Sequence, residues 1–162
     1  MVAVRHQAWH ALCDSGRGKP AQYARLAVAQ EDAAAADDQV MRGMVLVVDD
    51  DEGVRAVMAT ALEDDGWAVT TAENGRRALD ALRESRPEAI ILDLRMPVMD
   101  GVTFAQQYRE FPEPRAPLIL ISATVTHAAI QETGAVTGLR KPVDLDVLLD
   151  AVREHATDSS TD

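Results

Sequence analysis

Three short apolar runs, each ending in a polar side chain, constrain this chain more than any other feature. Val45-Leu46-Val47-Val48 runs into three aspartates, Ala89-Ile90-Ile91-Leu92 into Asp93, and Leu118-Ile119-Leu120-Ile121 into Ser122. Continuous β-branched runs of this length suit strands buried on both faces. Weaker strands are expected over 67–72 and 137–140. Between them the apolar spacing turns helical. Val54, Val57, Met58, Ala61 and Leu62 mark a helix over 52–64, and Ala78, Leu79, Ala81 and Leu82 mark one over 76–85. A third runs from 102 to about 110, a weaker fourth covers 126–133, and a fifth follows an Asp144 cap. Gly66, Asn74-Gly75, Pro87 and the prolines at 112, 114 and 117 punctuate the series. Five strands alternating with five helices predict an α/β fold, a doubly wound five-stranded parallel sheet with helices on both faces.

The expected domain covers 44–155. Residues 1–43 show no sustained period beyond a weak alanine-rich helix over 21–36, and are expected to be a weakly ordered extension; 156–162 are expected to be a disordered tail. Met41 and Met44 are each a possible translation start. The charge follows the same division. Residues 1–43 hold five basic and five acidic residues, whereas 44–162 hold 11 basic and 22 acidic, so the net charge of −11 belongs to the domain. That surface repels phosphate backbones and argues against nucleic-acid binding. The single cysteine, Cys13, excludes an internal disulfide. No apolar run approaches the roughly 18 residues of a membrane span or resembles a signal peptide, so a cytoplasmic location with no membrane contact is expected.

Doubly wound sheets bear their sites beyond the carboxyl ends of the strands. Those ends carry Asp49, Asp50 and Asp51 after the first strand, Asp93 after the third, Ser122 after the fourth and Lys141 after the fifth. Lysine is rare here, 2 against 14 arginines, which makes Lys141 conspicuous. Converging carboxylates repel unless one is protonated or a cation neutralises them. Oxygen ligands without histidine or cysteine suit a hard cation, foremost Mg²⁺. Such a site can bring a phosphoryl group to a carboxylate, with Asp93 as nucleophile and Lys141 and Ser122 holding phosphoryl oxygens.

The segments 45–52 (VLVVDDDE), 93–101 (DLRMPVMDG), Ser122-Ala123 and Lys141-Pro142 resemble, in that order, the response-regulator receiver domain of two-component signalling. The resemblance implies a flavodoxin-like strand order 2-1-3-4-5 and makes Asp93 the phosphoacceptor. It makes Asp49 and Asp50 the metal-binding acidic pair, with the backbone carbonyl of Arg95 as a further ligand. Lys141 then contacts the phosphoryl group, its bond to Pro142 is commonly cis in relatives, and Ser122 is the switch hydroxyl. Asp51 reads as a helix cap, and Asp100-Gly101 as a turn. His6, His10, His127 and His155 read as solvated, and Trp9 and Trp67 as packing residues.

Two departures stand out against that pattern. Gly138 occupies the position, three before the lysine, where relatives carry Tyr or Phe. The interval from Ser122 to Lys141 is 19 positions, about three shorter than usual, so roughly one turn is missing around the fourth helix. Both fall on the surface the family uses for output. The expectation is a single-domain regulator that takes a phosphoryl group from a sensor histidine kinase or phosphotransfer protein. It would signal by contact with a downstream protein and catalyse only its own Mg²⁺-dependent phosphoryl gain and loss. The alternative is a phosphorylation-independent pseudo-receiver. An aspartate-nucleophile hydrolase is disfavoured because Arg95 stands where those enzymes need a second aspartate.

Overall fold

Side chains along a strand point alternately to its two faces, and this alternation divides the core. The computed structural model describes residues 42–156. Five strands, β1 (Met44–Val48), β2 (Ala68–Ala72), β3 (Ala89–Asp93), β4 (Leu118–Ser122) and β5 (Thr137–Arg140), form one parallel sheet in the order β2-β1-β3-β4-β5. The helices between and after them are α1 (Glu52–Asp64), α2 (Gly75–Glu84), α3 (Gly101–Tyr108), α4 (His127–Thr133) and α5 (Leu145–His155). Val45, Val47, Ile91, Ile119 and Ile121 face Met58 and Leu62 of α1 and Leu148 and Val152 of α5. Leu46, Val48, Ile90, Leu92 and Leu120 face Leu79 of α2 and Phe104 and Tyr108 of α3, with Ala129 and Ile130 of α4 at the margin. The fold class and strand order are those expected.

Each helix starts on a side-chain cap. Asp51, Asn74, Asp100, Thr126 and Asp144 accept hydrogen bonds from N–H groups of the first turns they precede, satisfying donors that the helix leaves unpaired. Asp100 and Asn74, read from the sequence only as turn residues, are thus caps as well. α2 begins one residue earlier than expected, at Gly75. α3 stops at Tyr108 short of the expected 110, and the chain from Arg109 is drawn into a loop tied by Arg115, which donates to the carbonyls of Arg109 (3.2 Å) and Phe111 (2.9 Å). α4 has seven residues, of which only Thr133 is fully buried, matching the short fourth helix expected. Trp67 packs into the α1/α5 side of the core. His155 ends α5 half-buried, whereas His127 opens α4 in solvent. The expectations for the 21–36 helix, the tail beyond 156, His6, His10, Trp9 and Cys13 lie outside the described residues.

At the amino-terminal end of the sheet one carboxylate joins three segments. Asp65 accepts from Arg153 Nε of α5 at 3.0 Å and from Trp67 Nε1 at 3.2 Å, and lies 3.8 Å from Arg42 Nε. The hydrogen bond from Arg153 outweighs burial and holds this carboxyl below its usual pKa, with the charges of Arg153 and Arg42 adding. Ionised Asp65 therefore stabilises the fold above the unfolded-state value of about 3.9, and that contribution fades as pH falls through the lower folded value. On acidification from about pH 7 to about pH 3, the melting temperature of the wild type should fall further than that of Asp65→Asn. Parallel thermal scans of the two proteins measure the difference.

Candidate functional site

The carboxyl ends of β1, β3 and β5 bring three charged side chains within hydrogen-bond reach. Lys141, immediately after β5, donates from Nζ to Asp49 Oδ2 at 2.7 Å and to Asp93 Oδ2 at 2.8 Å. Asp49 is fully buried, Asp93 is 4% exposed, and Asp50 beside them is exposed. One carboxylate oxygen from each of Asp49, Asp50 and Asp93 lies within 4.8 Å of the others. Three carboxylates against one ammonium leave two surplus negative charges, all on hard oxygen donors. This set fits a divalent cation such as Mg²⁺.

The Asp49 and Asp93 side chains are each oriented by neighbouring backbone. The Asp51 N–H donates to Asp49 Oδ1 at 2.9 Å, and the Arg95 N–H approaches Asp93 Oδ1 at 3.4 Å. The backbone of Arg95 therefore lies against the Asp93 carboxylate. Asp51 itself turns away to cap α1, bonding the Val54 N–H at 3.0 Å. Ser122 is buried at the end of β4. Its Oγ accepts from the Thr124 N–H at 3.3 Å, and its carbonyl accepts from the Lys141 N–H at 2.9 Å. The Lys141–Pro142 peptide is cis. Every site residue expected from the sequence is thus at one end of the sheet.

The electrostatics arise from burial and pairing. Burial pushes the Asp93 carboxyl above its usual pKa; the hydrogen bond and charge of Lys141 oppose this, and the neighbouring Asp49 charge adds to it. Burial alone would pull the Lys141 ammonium down, but hydrogen bonds and charge from Asp49 and Asp93 together hold it above the ordinary lysine value. The site is a half-buried ammonium clamped between two buried carboxylates, with the exposed Asp50 beside them.

Two residues between β3 and the body of α3 shape the chain next to the site: Gly101, read from the sequence only as part of a turn, and Val98. Gly101 starts α3 directly against the backbone of Asp93: a Cβ there would lie 2.5 Å from the Asp93 carbonyl oxygen and 3.0 Å from Leu94 Cα. Its N–H also donates to the Leu94 carbonyl at 3.0 Å. Val98 is 85% exposed with φ 69°, at the centre of a three-residue turn closed by Met99 N–H to the Pro97 carbonyl at 2.7 Å. A β-branched residue is strained in that region, and turns of this kind are rare. The Asp100-Gly101 pair hints at the first of these residues; nothing in the sequence marks Val98.

Gly138 sits in β5 with the Val125 side chain over it. A Cβ at 138 would meet Val125 Cγ1 at 2.6 Å, so valine from the loop after β4 fills the space beside this strand.

The described residues thus combine a parallel doubly wound sheet with an oxygen-only acidic cluster able to hold a hard cation and a bridging ammonium at the carboxyl edge. The chain belongs to the response regulator receiver domain family, which matches residues 45–153. It is 32% identical to sporulation initiation phosphotransferase F of Bacillus subtilis over 119 residues, 72% of this chain and 95% of that protein. It is 39% identical to the DNA-binding transcriptional regulator NtrC of Escherichia coli over 110 residues, 66% of this chain but only 23% of NtrC. The chain thus spans about a quarter of the NtrC relatives it matches. Among solved structures it resembles the chemotaxis response regulator CheY4 of Vibrio cholerae, with TM-score 0.64 and 32% identity over 68% of this chain and 96% of that one. It also resembles the response regulator TrrA of Thermotoga maritima, solved in complex with Mg²⁺-BeF, with TM-score 0.62 and 28% identity over 68% of this chain and 96% of that one. Among the described residues, no helix is long and apolar enough to cross a membrane.

Two substitutions test the loop geometry. Gly101→Ala has backbone, not a flexible side chain, in its way, and should cost about 1–3 kcal/mol in chemical denaturation. Val98→Gly relieves the turn and should raise stability by about 1 kcal/mol, net of the freedom glycine adds to the unfolded chain.

Proposed function

We propose that this receiver takes a phosphoryl group on a carboxylate oxygen of Asp93 from a phosphohistidine of a sensor kinase or phosphotransfer protein. The observation that carries the reading is the bridging ammonium, Lys141 Nζ at 2.7 Å from Asp49 and 2.8 Å from Asp93. As the new P–O bond forms on Asp93, the N–P bond of the donor breaks and its imidazole leaves with the bonding pair. Lys141 then exchanges its hydrogen bond to Asp93 for one to a phosphoryl oxygen while keeping Asp49. Ser122, at the end of the neighbouring strand, offers its hydroxyl to another phosphoryl oxygen. Asp49, Asp50, Asp93 and the carbonyl of Arg95 would hold Mg²⁺, which when bound offsets charge on the transferring group. The protein's chemistry is confined to gaining and losing its own acyl phosphate. Arg95, two positions past Asp93, supplies no carboxylate to activate water for an external substrate.

The phosphorylated and unphosphorylated states would be told apart by a protein partner, through differential affinity for two conformations. The match to sporulation initiation phosphotransferase F, of which 95% is covered, favours a single-receiver switch of this kind. The acidic charge of 44–162 favours a protein partner over nucleic acid or membrane, with the cytoplasm as the place of action. Residues 44–155 would form the receiver, with 1–43 as an extension and 156–162 as a tail. A second reading, a pseudo-receiver indifferent to phosphorylation, is favoured by one observation: Val125 already fills the place beside Gly138.

Incubation with Mg²⁺ and a small acyl-phosphate donor should label the wild type with an alkali-labile phosphoryl group. Labelling should drop to background in Asp93→Asn and on chelation of the metal. Undiminished labelling of Asp93→Asn would remove the assignment, and a wild type that neither labels nor binds Mg²⁺ would establish the pseudo-receiver. Lys141→Ala leaves Asp49 and Asp93 facing each other without a counter-charge and should slow labelling on the order of a hundredfold.

A further inference from the structure

Asp49 has every hydrogen-bonding group engaged. Its N–H donates to the Ala72 carbonyl at 3.2 Å, Oδ1 accepts from the Asp51 N–H at 2.9 Å, and Oδ2 accepts from Lys141 at 2.7 Å. The fourth bond has a different origin. Arg55, half-buried in the first part of α1, donates from Nη1 to the Asp49 carbonyl at 2.5 Å. Its own N–H donates to the Asp51 carbonyl at 2.9 Å. Arg55 therefore grips the start and the end of the acidic turn together.

The choice of acceptor is informative. Arg55 comes soon after four consecutive acidic residues, Asp49 to Glu52, yet among the described residues no carboxylate lies within ion-pair distance of it. A guanidinium free to neutralise a carboxylate is instead committed to a main-chain carbonyl. Its contribution is to the orientation of the turn more than to cancelling its charge.

We propose that Arg55 is a positioning residue for the acidic cluster. By fixing the main chain at Asp49 it keeps the Asp49 and Asp50 carboxylates convergent with that of Asp93. Outer partners of this kind typically change metal affinity about 10- to 100-fold when removed. The inference rests on the reading of Asp49, Asp50 and Asp93 as a divalent-cation site.

The sign of one measurement separates orientation from charge. A cation near a Mg²⁺ site repels the ion, so if Arg55 acted by charge alone, removing it would tighten binding. If Arg55 positions the carboxylates, removing it loosens binding. Mg²⁺ alone is titrated calorimetrically into the whole chain as wild type, Arg55→Gln and Arg76→Gln. Arg76 is an exposed arginine in α2, whose loss removes the same charge without this hydrogen bond. The expected result is about tenfold weaker binding in Arg55→Gln and none of that loss in Arg76→Gln. Amide exchange at Asp51, whose N–H bonds Asp49 Oδ1, should quicken in metal-free Arg55→Gln with the rest of the sheet still protected. Equal or tighter Mg²⁺ binding in Arg55→Gln, or unchanged exchange at Asp51, overturns the proposal. A wild type that takes up no Mg²⁺ overturns instead the cation-site reading beneath it.

Discussion

The ammonium of Lys141, held between Asp49 and Asp93, is the interaction on which the rest of the site depends. Two carboxylates almost wholly out of water, on adjacent strands, would repel each other without a cation between them. Their attraction to Lys141 offsets the cost of burial only because the geometry is good and the remaining oxygens are bonded, by Asp51 and Arg95 N–H groups. No buried side-chain polar atom among the described residues is left without a partner. The arrangement is nevertheless unbalanced: with Asp50 included, negative charge exceeds positive by two. That imbalance suits the cluster to a divalent cation, and the similar response regulator TrrA has been solved in complex with Mg²⁺-BeF.

Rigidity behind the site comes from the sheet. Asp49 and Asp93 extend β1 and β3, whose cores are fully buried, so neither carboxylate rides on a free loop. The Asp49 N–H is still paired to β2 through the Ala72 carbonyl. Gly101 lets α3 begin in contact with the backbone of Asp93, where any larger residue would force helix and strand apart. Among the described residues the one non-glycine positive φ is at Val98, where a costly turn lies on the path from β3 to α3.

Much of this is legible in the chain itself. The runs 45–48, 89–92 and 118–121 have no helical alternative at their length, and the residue after each is where a parallel sheet exposes its chemistry. Lys141 is visible because lysine is rare and because its position comes directly after a strand. Other features stay hidden because they are contacts between distant elements. The bond from Arg55 to Asp49 has no periodic signature, the loop ties of Arg115 that end α3 early are made by a residue beyond the helix, and the positive φ of Val98 contradicts the residue's own preference. The caps at Asn74 and Asp100 read as turns in the sequence because the same residues serve both roles.

The alternation that sorts β1 into two core faces also orients the acidic residues beyond its end. Val45 and Val47 share a face and Leu46 and Val48 share the other, and Asp49 and Asp50 continue directly from that series. Inserting or deleting one residue in β1 or β3 would turn the core and the acidic side chains over together. Gain or loss of chain length can therefore be absorbed only away from the strands that carry Asp49 and Asp93. The short α4 lies in such a region, so the outer face of this fold can diverge while its acidic end keeps its register.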